Sequence, residues 1–212
     1  MNQFTFPFST CEKPKKKGIA QPYSTTINII LCIIILIFLL QSNNLYSRLF
    51  LFTVLVFNVF HMLSHAMHIE ELKNSQFLLT HYSAVISTFF LILMLNFITK
   101  EKIDVYNLCL LVLLYGFDTY LIIKDVSHIY NIIIFMAILF IILIYYYPFL
   151  SDKMETNIFY IIISSSIVLF FELFEVANCK YILEKYNFPF HTITEISACI
   201  PIVLLCNTFY KL

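Results

Sequence analysis

Seven apolar runs, each close to the length of a membrane crossing, divide this 212-residue chain and leave little between them. They fall at 26–42, 49–69, 76–99, 105–123, 128–148, 156–177 and 190–210, bounded by charged residues or by Asn, Ser and Pro. An α-helix needs about 20 mainly apolar residues to cross the hydrocarbon core, whereas a membrane strand needs only about 10 and alternates apolar with polar positions. The runs here are continuous, so the pattern predicts helices. Composition agrees: 60% of residues are hydrophobic and 12% charged, with a mean hydropathy of +0.86, and a soluble domain of this size has no means of wetting such a surface. The expected fold is therefore all-α, an integral membrane bundle of seven transmembrane helices over residues 26–212, preceded by a basic tail over residues 1–25.

The predicted connecting segments are short, the longest running from Asn178 to Pro189, so no soluble domain fits between spans. Lys13, Lys15, Lys16 and Lys17 precede the first apolar run, as in a signal peptide. That run is too long for a typical signal core and has no small-residue cleavage site, so it reads as an uncleaved first span. With the tail inside, the inner segments hold Lys13, Lys15, Lys16, Lys17, Lys73, Lys124, Lys180 and Lys185, against Arg48, Lys100, Lys102, Lys153 and Lys211 outside. This asymmetry predicts a cytosolic amino terminus. Thirteen basic residues balance thirteen acidic ones, which gives no reason to expect a nucleic-acid partner, and the partner expected is the bilayer with a lipid substrate drawn from it. Cys11, Cys32, Cys109, Cys179, Cys199 and Cys206 show no CxxC and no paired spacing, and read as small hydrophobes.

Alternating helix directions bring every histidine toward one membrane face. His61, His65 and His68 end the second span, His81 lies near the start of the third, and His128 and His191 open the fifth and seventh. Asp118, Asp125, Glu172, Glu175 and Glu195 follow the same rule. An ionisable group costs about 2.5 kcal/mol or more at the centre of a bilayer, so such groups face a cavity or one another. Asp125 and His128 read as interfacial; His61, Asp118, Glu172 and Glu195 lie deeper and predict a functional cavity.

The second span carries Phe60-His61-Met62-Leu63-Ser64-His65-Ala66-Met67-His68. Positions i, i+3, i+4 and i+7 share one helical face, so His61, Ser64, His65 and His68 form a polar stripe with three imidazoles. Imidazole suits zinc, copper, iron and nickel, and two ligands one turn apart can share an ion. His191 and Glu195 are also four apart and point toward the same leaflet. Two helices can thus supply three or four ligands, and a catalytic Zn2+ needs three protein ligands with a position left for water. Ser64 is then a candidate to hold that water or donate to a developing oxyanion, while His81, Asp118, Glu172 or Glu175 can orient a ligand imidazole or shuttle a proton.

Seven short-looped spans, the Ser/His stripe of span two and the i, i+4 pair of span seven resemble the CREST superfamily, which includes alkaline ceramidases and the progestin and adipoQ receptors. The resemblance covers nearly the whole chain in topology, and spans two and seven in motif. It implies a zinc ion inside the bundle near one face and a lipid-modifying hydrolase, notably a ceramide amidase. Ser64 and His68 match the family's Ser-x-x-x-His spacing, whereas Phe60, His61 and Met62 match a ceramidase-like Phe-His-Met string; these two registers leave the span-two ligand open. Span seven has His191 and Glu195 where the family has two histidines, and the family's span-three Asp has no counterpart, His81 standing nearest.

The leading expectation is a zinc-dependent hydrolase cleaving an amide or ester bond in a membrane lipid. Haem binding between facing histidines is an alternative. So are proton-coupled transport through the buried acids and a non-catalytic seven-helix receptor.

Overall fold

The computed structural model describes residues 11–67, 74–124 and 128–211, with the side chains of 74–77 and 128 left undescribed. Among these residues it is helical, without strands, and contains seven helices long and apolar enough to cross a membrane. In chain order they are α1 (Pro22–Gln41), α2 (Leu45–Ala66), α3 (Asn74–Thr99), α4 (Val105–Ile123), α5 (His128–Tyr146, extended by a 3-10 turn over Tyr147–Phe149), α6 (Asp152–Tyr186) and α7 (His191–Phe209). The expected all-α seven-helix class is thus what the chain adopts.

Short polar links end and start these helices. Asn44 accepts from the amides of Tyr46 and Ser47 to cap α2, and Asp104 accepts from Asn107 to cap α4. The hydrogen bonds from Asn107 hold the Asp104 carboxyl below its ordinary range. Helix α1 begins four residues before the expected run. Pro22 occupies its first position, and Glu12, reaching back from the tail, accepts from the amides of Tyr23 and Ser24 at 2.9 and 3.1 Å. Helix α6 departs furthest from expectation. Residues 178–186 continue the helix instead of forming a loop, because no Gly or Pro interrupts them before Pro189. The helix stops where Asn187 turns left-handed at φ 47°, its amide bonded to Leu183. Thirty-five residues span about 52 Å, well beyond a hydrocarbon core of about 30 Å, so one end of α6 stands clear of it.

Successive helices pack side by side, and α1 packs on both α2 and α7, closing a ring. Helix α4 is held mainly through α5 and α3, and mid-helix Leu113 is 70% exposed, as a lipid-facing residue is. The half of the bundle away from the histidines is packed with Phe50, Leu51, Leu95, Ile142 and Phe209. Lipid tails are as apolar as these side chains, so helix association rests on close packing and on bonds between helices. Tyr146 of α5, which donates to Asn96 of α3, supplies one such bond, worth about 0.6 kcal/mol on average.

Candidate metal centre

The site begins with two i, i+4 pairs on neighbouring parts of the ring. His61 and His65 lie one turn apart at the end of α2, and His191 and Glu195 lie one turn apart at the start of α7. Three imidazoles converge on a single carboxylate oxygen: Glu195 Oε1 lies 3.1 Å from His61 Nε2, 3.0 Å from His65 Nε2 and 3.1 Å from His191 Nε2. His61 Nε2 and His65 Nε2 are 3.3 Å apart. A tetrahedral zinc site with ligands at 2.0–2.1 Å has edges of about 3.3–3.4 Å, so the His61–His65, His61–Glu195 and His65–Glu195 separations are slightly contracted edges of one face of such a site. The histidine nitrogens of α2 and the Glu195 oxygen form a group able to hold a metal ion, and His191 Nε2 faces the same oxygen.

Outer contacts fix the rings. His65 Nδ1 lies 2.6 Å from Gln21 Oε1, and His191 Nδ1 lies 2.9 and 3.0 Å from the two Glu175 oxygens. These oxygens only accept, so each Nδ1 carries a hydrogen, and in the neutral ring each Nε2 then presents its lone pair to the centre. Asn28 donates to Glu195 Oε2 at 2.9 Å, and Thr194 donates to Glu175 Oε2 at 2.7 Å. His191 Nε2 is buried and has no partner of hydrogen-bond geometry, although Glu195 stands close by. Lone pairs and an anionic oxygen gathered in one place require a positive charge between them, which a cation or protons can supply.

A cavity of about 230 Å³ adjoins the centre, with His61, Glu195, Thr194 and Glu172 in its wall. Its other walls are mainly apolar. They run from His61 to Phe50 along α2, from Glu172 to Ile161 along α6 and from Thr194 to Leu205 along α7, each about 16 Å at the helical rise. Pro201 on this wall removes one backbone bond from α7. The His61 side chain is 20% exposed against none for His65, so His61 is the more accessible of the two. Glu172 has no hydrogen bond to any described residue.

The other expected residues fall elsewhere. Ser64 is buried and donates to the carbonyl of Phe60 in its own helix, and it is absent from the cavity wall. His81 and Asp118 orient each other: His81 Nδ1 lies 3.1 Å from Asp118 Oδ2, and His81 Nε2 lies 2.9 Å from Thr119 Oγ1. Neither lines the cavity or makes a contact with the converging imidazoles. His68, Asp125 and the side chain of His128 lie outside the described residues. Glu175 does orient a candidate ligand, as one of the acids named for that role. Gln21 and Asn28 were not foreseen. Asn28 stands out as a lone amide within a run of Ile and Leu, a signal that was there to be used, whereas Gln21 lies in the tail and carries none.

The cysteines also depart from expectation, since Cys11 and Cys179 are joined, with Cα atoms 5.2 Å apart. The sequence separation of 168 residues gave no hint of pairing.

No protein-family model, curated protein or solved structure matches the chain.

Proposed function

We propose that this chain is a zinc-dependent intramembrane hydrolase that cleaves an amide or ester bond in a lipid, ceramide-like in the amide case. One observation carries the reading: the Nε2 atoms of His61 and His65 and a Glu195 oxygen form a group able to hold a metal ion, with His191 Nε2 3.1 Å from the same oxygen, at the end of an apolar cavity. Haem is a poorer fit, because axial ligands stand on opposite faces of a macrocycle, whereas these nitrogens crowd to 3.3 Å.

His61, His65, His191 and Glu195 would hold the ion. Bound zinc supplies Lewis acidity and an activated water. The apolar walls accept a lipid chain and exclude bulk water, so the scissile carbonyl is held beside His61 and Glu195. Glu172, in the same wall and without a hydrogen-bond partner among the described residues, takes a proton as water adds to the carbonyl and returns it to the departing amine or alkoxide. Glu175 and Gln21 keep the His191 and His65 rings in register. We assign the amino terminus, and with it this centre, to the cytosolic face, on the strength of eight basic residues against five.

Elemental analysis of the full chain purified in detergent is expected to give about one zinc per chain, as one metal-capable group implies. His191→Ala should remove it, and the zinc-loaded chain should release fatty acid from ceramide or from an ester lipid in mixed micelles. Metal-free wild-type protein of normal stability would mean that protons, not zinc, neutralise the centre, and the reading would end there.

A further inference from the structure

The segment before α1 is more than a basic tail. It meets one of the candidate ligands, His65, and the carboxylate that orients another, His191. The amides of Ala20 and Gln21 bond to the carbonyls of Ala66 and His65, each at 3.0 Å. The Gln21 side chain is fully buried, with Oε1 on His65 Nδ1 and Nε2 donating to the Glu12 carbonyl at 2.9 Å. Glu12 caps α1, so the segment is bonded to α1 as well as to α2. At its start, the Cys11 amide donates to Glu175 Oε1 at 2.7 Å, the carboxylate that orients His191. The Cys11 sulfur is joined to Cys179, one turn beyond Glu175 on α6.

Resting on the metal reading above, we propose that the segment from Cys11 to Gln21 is a strap that positions two metal ligands, and that the Cys11–Cys179 link makes metal retention depend on thiol redox state. Gln21 acts on His65 directly. Cys11 acts on His191 through Glu175. On a cytosolic face a disulfide is transient or redox-sensing, which is the behaviour this link would need. A dithiol reduces it by passing two electrons and two protons to the sulfurs: the Cys11–Cys179 bond breaks, two thiols form, and the dithiol closes to its own disulfide. The start of the strap is then tied to Glu175 by a hydrogen bond alone, and the His191 ring loses part of its support.

The test uses full-length protein in detergent and competition for zinc against a chromophoric chelator. Loss of an outer partner of a metal-bound histidine costs about 10–100-fold in affinity, and that loss is expected for Gln21→Leu. Gln21→Glu, which keeps an acceptor oxygen for His65, should recover affinity to within about threefold of wild type. The double variant Cys11→Ser/Cys179→Ser, and wild type reduced with a phosphine, should both weaken binding by about five- to tenfold, less than a direct partner. Cobalt(II) absorbance should shift in Gln21→Leu and not in Gln21→Glu, which separates positioning from general loosening. Equal zinc affinity across all forms overturns the strap and leaves the metal site standing. Absence of the Cys11–Cys179 peptide from a non-reduced digest overturns the redox half. Oxidised wild type that binds no zinc removes the metal reading itself.

Discussion

Two histidine–carboxylate groups lie toward the same face of the bundle, and they differ in one respect that decides what each can do. In the first, His65 and His191 spend Nδ1 on outer acceptors and turn Nε2 inward, where His61 joins them around Glu195. In the second, His81 spends both ring nitrogens locally, on Asp118 and Thr119, and has none left for an ion. Both groups satisfy the rule that intramembrane ionisable residues seek partners. Only the first turns several imidazoles onto one carboxylate oxygen, and only the first adjoins the cavity. The presence of a histidine near a carboxylate is therefore weak evidence for a site; the direction of the spare nitrogen is what carries it.

The largest expected effect contrasts these groups directly. His65→Ala removes a ligand and should lower zinc affinity by more than about 100-fold, beyond the loss of any outer partner. His81→Ala should leave zinc affinity within about twofold, since the ring touches nothing at the centre. Chelator competition on the two purified variants decides the matter, and zinc loss from both would dissolve the distinction.

A smaller effect sharpens the comparison within the first group. Glu175→Leu removes the acceptor of His191 Nδ1 and leaves all four candidate ligands in place. Zinc affinity should fall about 10–100-fold, as for other outer partners. Lipid hydrolysis at saturating zinc should fall less, because the ion is then restored. Unchanged affinity would show that His191 does not need its outer carboxylate.

The fold was legible because hydropathy is a sum over about 20 residues, and tertiary detail does not alter it. The end of α6 departs from expectation for the complementary reason: Asn178 to Tyr186 are polar enough to leave the membrane, but nothing in them stops a helix once it has left. At the site, i, i+4 spacing disclosed His61 with His65 and His191 with Glu195, since both pairs are local. Which stripe residues turn inward was not legible. Ser64 shares the stripe yet bonds to its own helix, a choice made by the hydroxyl's short reach to the i−4 carbonyl. Gln21 and the Cys11–Cys179 link depend on chain segments far apart in sequence, and residue spacing carries no information about such contacts.

The smallest expected effect concerns Asp118, and it tests whether the second group is a staple between helices. Asp118 lies on α4 and His81 on α3, so their contact joins α4 to the ring. Asp118 Oδ2 accepts from His81 while Oδ1 is buried with no partner among the described residues. An amide at this position keeps one acceptor for His81, so Asp118→Asn should change stability by less than about 1 kcal/mol. Asp118→Leu removes the acceptor and leaves the buried His81 nitrogen unpaired, which should cost about 1–3 kcal/mol. Thermal unfolding in detergent, followed by helix loss, measures both, and zinc content should stay at the wild-type level throughout. A drop in zinc with Asp118→Asn, at unchanged stability, would instead tie the second group to the metal centre and restore the orienting role that its position in the sequence first suggested.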